Sequence, residues 1–230
     1  MIKGVMFDFS GTLFRIEPTA QWLRAVVTEA GYELAEGELA LCADRLEAAG
    51  AQPGGPAPRR LPSELEVLWS ERDLSAEKHR AAYTALTRQA SLPYPELVDA
   101  LYDRHRVPAA WRPYPDTEDT LKELRSRGIP VAVVSNIGWD LRPVFRDHGV
   151  ERLVDAYVLS FEHGIQKPDP ALFRAACDRL GLPPGDVLMV GDDRVADGGA
   201  AALGCPVHLV DPLPADRRPS ALTAVLDLLD

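Results

Sequence analysis

A chain of 230 residues with 46% hydrophobic content can bury one full core or divide into a core and a smaller appendage, so one or two domains are expected. A net charge of −10 argues against binders of duplex nucleic acid and polybasic membrane binders, which meet phosphates with clustered Lys and Arg. Cys42, Cys177 and Cys205 are odd in number, far apart and free of C-x-x-C or Cys/His spacing, which argues against a disulfide scaffold or a zinc site and fits a reducing cytoplasm.

Residues 1–13 read MIKGVMFDFSGTL. Val5, Met6 and Phe7 form a short apolar run that stops at Asp8, and Gly11 and Thr12 follow, so a buried strand ending in a loop is expected. An acid at the carboxyl end of a strand stands where open α/β sheets bind ligands, and there it can act as a nucleophile. From Ile16 to about Trp111 the texture is helix-forming. Trp22, Leu23, Val26 and Val27 recur at helical spacing after Pro18 and Thr19, with Gly31 ending that helix. A second helix is expected over residues 33–49 on Leu34, Leu39, Leu41 and Leu46. Residues 50–62, dense in Gly and Pro, read as a loop. Helical patterns resume at 62–70, 76–90 and 95–106, giving a small all-helical unit without internal repeats.

Past Trp111, strands and helices alternate. Thr117 is placed to cap a helix that Gly128 ends. Strands are expected at 129–134, 154–159, 187–190 and 207–210, and helices at 139–148, 170–180, 196–203 and 219–229. Repeated βα units imply an α/β fold with a doubly wound parallel sheet, which the first strand should join. The helical segment is then an insertion: residues 1–15 and 113–230 form the α/β core, and residues 16–112 a separate helical domain.

Three later strands also end in chemistry. VAVVSN places Ser135 and Asn136 at a strand tip, VLMVGDDRVAD places Asp192, Asp193 and Asp197 at another, and Lys167 lies in GIQKPDP before a helix that Pro170 can start. Singly, these are ordinary turn residues, helix caps or a surface lysine. In one parallel sheet their tips converge on one crevice. The set of carboxylates, a hydroxyl and an amine is the inventory needed to hold a divalent cation and a phosphoryl group beside a nucleophile.

In that order, DFSGTL, VVSN, QKPDP and GDDRVAD resemble the four motifs of haloacid dehalogenase superfamily hydrolases, and the insertion resembles the helical cap that such enzymes carry between the first two. The resemblance implies a Rossmann-like core and a magnesium-dependent hydrolase of a small phosphorylated metabolite. Asp8 would attack phosphorus and form an aspartyl-phosphate, and Ser135 and Lys167 would bind phosphoryl oxygens. Asp8, the Ser10 carbonyl and Asp192 would hold magnesium, with Asp193 and Asp197 in support. Phe9, Gly11, Thr12 and Asn136 would contact substrate.

One departure stands out: Ser10 occupies the position where most phosphatases of the superfamily carry a second, acid/base aspartate. A hydroxyl is no acid near neutral pH. Losing general acid–base help typically costs about 10²–10⁴ in rate, or about 3 to 5 kcal/mol of barrier. The reading of phosphohydrolase therefore requires an acid from elsewhere, with Glu17, His79 and His105 as candidates, or a good leaving group such as an acyl or aryl phosphate. Three alternatives stay open: a 2-haloacid dehalogenase-like enzyme, which also lacks the second aspartate; a phosphonatase-like enzyme, for which Lys78 is the only lysine in the insertion; and a non-catalytic homologue that binds a phosphometabolite or a protein.

Trp22, Trp69, Tyr83, Tyr94 and Tyr102 can line a substrate pocket, and the segments near Arg15 and Trp111 are expected hinges. No basic n-region with an apolar h-region and no run of roughly 18 apolar residues is present, so a cytoplasmic monomer or homodimer without a membrane partner is expected.

Overall fold

The computed structural model describes residues 1–229 and opens on β1 (Gly4–Phe7), every residue of which is buried. A continuous apolar run is what a strand covered on both faces requires. After β2 (Phe14–Ile16) come five helices: α1 (Thr19–Glu29), α2 (Glu36–Ala49), α3 (Glu66–Ser70), α4 (Ala76–Gln89) and α5 (Val98–Arg104). The chain then alternates through β3 (Trp111–Pro113), α6 (Thr117–Ser126), β4 (Val131–Ser135), α7 (Arg142–Asp147), β5 (Ala156–Leu159), α8 (Ser160–His163), α9 (Pro170–Leu180), β6 (Val187–Gly191) and β7 (Val207–Leu209). Strands β2 and β3 form a two-stranded sheet of their own.

The main sheet has the order β5-β4-β1-β6-β7, and all its neighbouring strands run parallel. Val5 is opposite Val131 on one side, and Phe7 is opposite Val190 on the other. The chain lays β4 and β5 on one side of β1, then returns to lay β6 and β7 on the other. That reversal puts β1 at the switch point, outside whose carboxyl end α/β sheets bind ligands. One face of the sheet packs Met6, Val134, Val158, Val187 and Met189 against Leu172 and Phe173 of α9. Phe14, Phe145 and Tyr157 make a separate run of ring contacts.

The chain divides into two compact units, one comprising Met1–Arg15, Asp73–Ser75 and the residues from Arg112 on, the other Ile16–Arg72 and Ala76–Trp111. The expected division left Arg112 and the 73–75 turn in the helical part. The helical unit has its own core of Trp22, Leu23, Val26, Leu39, Leu46 and Leu101. Trp22 is therefore a packing residue.

Several expected helices are shorter than their sequence patterns. α2 starts at Glu36, because Tyr32 stacks on Tyr94 at 4.2 Å and the Tyr94 hydroxyl donates to Glu33 O at 3.0 Å, which holds this stretch out of the helix. α7 starts at Arg142, because Trp139 is buried edge-on against Phe9 and Asp140 accepts the Arg142 N–H at 3.1 Å. The expected helices at 196–203 and 219–229 are tighter 3-10 turns, Asp197–Leu203 and Thr223–Leu228. Thr117 does not cap α6: it is the first helical residue and its hydroxyl donates to Leu13 O at 2.8 Å. Gly128 does follow the helix, at φ +69°, with Ile129 N–H closing back to Leu124 O. Cys42, Cys177 and Cys205 are free and buried, and among the described residues no helix is long and apolar enough to cross a membrane.

Candidate active site

The site is assembled from the carboxyl ends of β1, β4 and β6 and the loop that precedes α9. Asp8 extends β1 by one residue, its N–H donating to Val190 O at 2.9 Å, and it is 7% exposed. Lys167 Nζ donates to Asp8 Oδ1 at 2.7 Å and to Asp197 Oδ1 at 2.5 Å, with all three side chains nearly closed to solvent.

The surrounding main chain is built to hold these groups. Asn136, just past β4, uses its carboxamide on the Lys167 main chain: Nδ2 donates to Lys167 O at 2.9 Å and Oδ1 accepts Lys167 N–H at 2.7 Å. The Lys167–Pro168 peptide is cis, and Asp169 then accepts Ala171 N–H at 2.9 Å to cap α9 at Pro170. A Cβ on Gly199 would fall 2.6 Å from Pro168 O, so only glycine lets the Asp197–Leu203 turn approach this loop. Asp197 Oδ2 accepts the N–H groups of Asp192 and Asp193, each at 2.9 Å, and Gly191 leaves room for it, since a Cβ there would lie 2.6 Å from Asp197 Cβ. Asp193 in turn accepts Val195 N–H and Ala196 N–H at 2.7 and 2.8 Å, which folds the turn that delivers Asp197.

One oxygen each from Asp8, Asp192 and Asp197 lies within 4.8 Å of the others, and Lys167 bonds two of these groups, Asp8 and Asp197. Burial pushes Asp8 up to about 8, against the pull of Lys167 and with help from Asp197 and Asp192. Burial likewise raises Asp192 to about 6, helped by Asp197 and opposed by Lys167. Burial alone would depress Lys167, but Asp197 and Asp8 carry it above its ordinary value, so it is an ammonium. Both Asp197 oxygens are already committed, which leaves Asp8 and Asp192 to meet a cation. An all-oxygen, carboxylate-rich donor set of this kind suits a hard divalent ion such as magnesium.

The other expected residues divide between the strand ends around this cluster and the core. Ser135 ends β4 and is buried, and Ser10 sits half-buried in the loop after Asp8, bridged to Phe14. The Phe9 ring is wholly buried, with its centroid 5.2 Å from that of Phe14 and 5.8 Å from that of Phe145, so its side chain serves the core. Thr12 is buried, its hydroxyl without a hydrogen-bond partner among the described residues. Gly11, at φ +85°, touches the cluster directly: a Cβ there would lie 2.8 Å from Asp192 Cγ. The candidate substitute acids are engaged within the helical unit. Glu17 is held by Arg104 in a two-pronged ion pair at 2.7 and 2.9 Å, and His79 and His105 are buried beside Tyr102. Lys78 pairs with Glu71 at 2.5 Å. Gly191 and Gly199 are the supports that pattern reading missed. Their signal was adjacency to the acids, in GDD and DGG.

The model of the haloacid dehalogenase-like hydrolase family matches residues 2–204. The chain is similar to (S)-2-haloacid dehalogenase 4A of Burkholderia cepacia, 32% identical over 154 residues, which are 61% of this chain and 66% of that protein. It is also similar to phosphoserine phosphatase of Thermus thermophilus, 31% identical over 219 residues, 88% of this chain and 85% of that one. Among solved structures, a crystallised dehalogenase superposes with a TM-score of 0.66 at 25% identity, covering 99% of this chain and 97% of that chain. The match spans only between 42% and 68% of the length of several other curated relatives.

Proposed function

The chain belongs to the haloacid dehalogenase-like hydrolases, and from that premise we propose that it is a magnesium-dependent phosphohydrolase working through an aspartyl-phosphate on Asp8. The observation that carries this reading is the clustering of the Asp8, Asp192 and Asp197 carboxyl groups within 4.8 Å of one another, a donor set that suits a divalent cation. Asp8 and Asp192, with the Ser10 carbonyl, would hold magnesium, which would supply positive charge to a phosphoryl group and to its transition state. Lys167 supplies the chain's own positive charge at the same place.

An oxygen of Asp8 bonds to phosphorus as the bond to the leaving oxygen breaks, and water then attacks phosphorus to release phosphate and restore the carboxylate. Asp197 holds Lys167 and the Asp192 main chain in place throughout. Ser135 binds the phosphoryl group. Ser10 offers no proton, and Glu17, His79 and His105 are engaged elsewhere, so the leaving group must depart as an anion. That points to a small acyl or aryl phosphate. By the same reading the helical unit is the cap, with hinges near Arg15 and Trp111.

A second reading is favoured by the identity to (S)-2-haloacid dehalogenase 4A together with Ser10. Dehalogenases of the superfamily work without magnesium and tend to replace the first acid of the last motif, whereas Asp192 and Asp193 are both present here. The deciding assay follows phosphate release from acetyl phosphate and para-nitrophenyl phosphate, with magnesium and with chelator, in the wild type, Asp8→Asn and Ser10→Asp. Magnesium-dependent release that Asp8→Asn abolishes is the expected result. Release that survives Asp8→Asn, or chloride release from 2-chloropropionate in chelator, would overturn it.

A further inference from the structure

Arg218 lies in a polar run, residues 214–220, that reads as surface, yet it is 4% exposed. Its Nη1 donates to Gly11 O at 2.6 Å and to Asp211 O at 3.3 Å, and its Nη2 donates to Thr12 O. The guanidinium carbon stands 3.1 Å from the centroid of the Tyr114 ring. None of these partners is a carboxylate, and Nε is buried without a hydrogen-bond partner among the described residues. Taking a cation out of water for carbonyl dipoles and a ring is costly. Arginine fits here because its planar fork reaches two successive carbonyls at once, which a lysine ammonium does not.

The segment that carries Arg218 is fastened at both ends. The Tyr114 hydroxyl donates to Leu213 O at 2.7 Å, and Asp116 Oδ2 accepts Leu222 N–H at 2.6 Å and Thr223 N–H at 3.1 Å. The strap also covers Gly11, where a Cβ would come 3.1 Å from Pro212 Cβ. The turn immediately after Asp8 and Ser10 is therefore gripped from the far end of the chain, with Pro212 and Asp192 both crowding the place a Gly11 side chain would take.

From this geometry we infer that Arg218 is a positioning residue for the reaction at Asp8: it fixes the Gly11–Thr12 main chain and thereby the placing of Asp8, the Ser10 carbonyl and Asp192. The inference rests on the reading of Asp8 as the attacking group. Arg218 touches neither substrate nor metal in this role. Its removal leaves the Gly11 and Thr12 carbonyls without their donor and lets the turn move, and a misplacement of about 1 Å in a reacting constellation is worth about 10² in rate.

The test compares the wild type with Arg218→Ala and Arg218→Gln in two measurements. The first is kcat and KM for para-nitrophenyl phosphate with magnesium, with and without added guanidinium ion. The second is amide hydrogen exchange at Gly11, Leu13 and Phe14, whose N–H groups bond to Phe14 O, Phe9 O and Phe9 O. In both variants kcat should fall by about 30- to 100-fold with KM within about twofold. Guanidinium ion should restore part of the loss in Arg218→Ala, and exchange at the three amides should rise at least tenfold while that of Val133 and Met189 is unchanged. A variant with wild-type kcat, or a loss of kcat without faster exchange in the turn, overturns the inference. If the wild type releases no phosphate, the functional reading falls, and the exchange measurement alone decides the clamp: unchanged protection at Gly11, Leu13 and Phe14 overturns it. Should Arg218→Ala fail to fold, Arg218→Gln decides by the same outcomes.

Discussion

Lys167 Nζ donates to Asp8 Oδ1 at 2.7 Å although 159 residues separate the two along the chain. Among the described residues the lysine is the cation that pairs with two of the three clustered carboxylates, so Lys167→Met leaves Asp8 and Asp197 without that partner. Breaking a buried pair by removing one partner costs about 3 to 5 kcal/mol, and losing one preorganised donor to the transition state costs about 10²–10³ in kcat. Urea denaturation and phosphate-release kinetics of the variant check both. A stability change under about 1 kcal/mol would show that the Lys167 ammonium does not offset buried negative charge in the resting protein.

Gly11→Ala tests the approach of the nucleophile loop to Asp192. Gly11 has φ +85°, and a Cβ would lie 2.8 Å from Asp192 Cγ, so the variant meets both backbone strain and a displaced carboxylate. Strain of this kind is worth about 1–3 kcal/mol. The magnesium concentration for half-maximal activity should rise as Asp192 moves. Gly128→Ala is the control: its φ is +69° with nothing within 4 Å, so it should lower the melting temperature without altering the magnesium dependence.

Asn136→Ala should lower kcat by about 10- to 100-fold with KM nearly unchanged, the pattern of a group that matters only in the transition state. The carboxamide is spent on Lys167 N–H and O rather than held toward a ligand. If Asn136 bound substrate directly, as the resemblance implies, KM would rise instead. Steady-state kinetics over a full substrate range separates the two.

What the sequence made legible was the set of strand tips. Buried strands announce themselves as apolar runs, and in a parallel sheet the polar residues that end them must meet, which is how Asp8, Lys167, Asp192 and Asp197 were found together. Direction of side chains was not legible once the strand had ended: Phe9 turns into the core and Asn136 toward the lysine loop because tertiary contacts, not a period of two, orient them. Helix length was over-read for the same reason at Trp139 and Tyr32, whose rings pack against residues distant in sequence. Arg218 gave no signal at all. Its partners, Gly11 and Thr12, lie 207 and 206 residues away, and an Arg-Arg pair in a short polar run between prolines reads as solvated.

Acid should destabilise the helical unit through its buried histidines. Burial holds His105 down to about 3; its bond to Tyr102 O opposes this, and Arg106 and Arg80 add to it. His79 is lowered well below its ordinary value by burial, then by His105, Arg72 and Arg106. An unfolded histidine takes its proton near 6.5. Between about 6.5 and 3, then, the unfolded chain binds more protons than the folded one, and the stability that is fully present above 6.5 is lost as pH falls through that window. For His105 alone the slope is about 1.4 kcal/mol per pH unit. Urea melts of the wild type and His105→Gln at pH 7.5, 6.5, 5.5 and 4.5 measure it. The variant should show an acid limb flatter by about that amount, because glutamine has no proton to gain, while equal limbs would mean that His105 is already protonated in the folded chain and that its ring is held by charge rather than by burial.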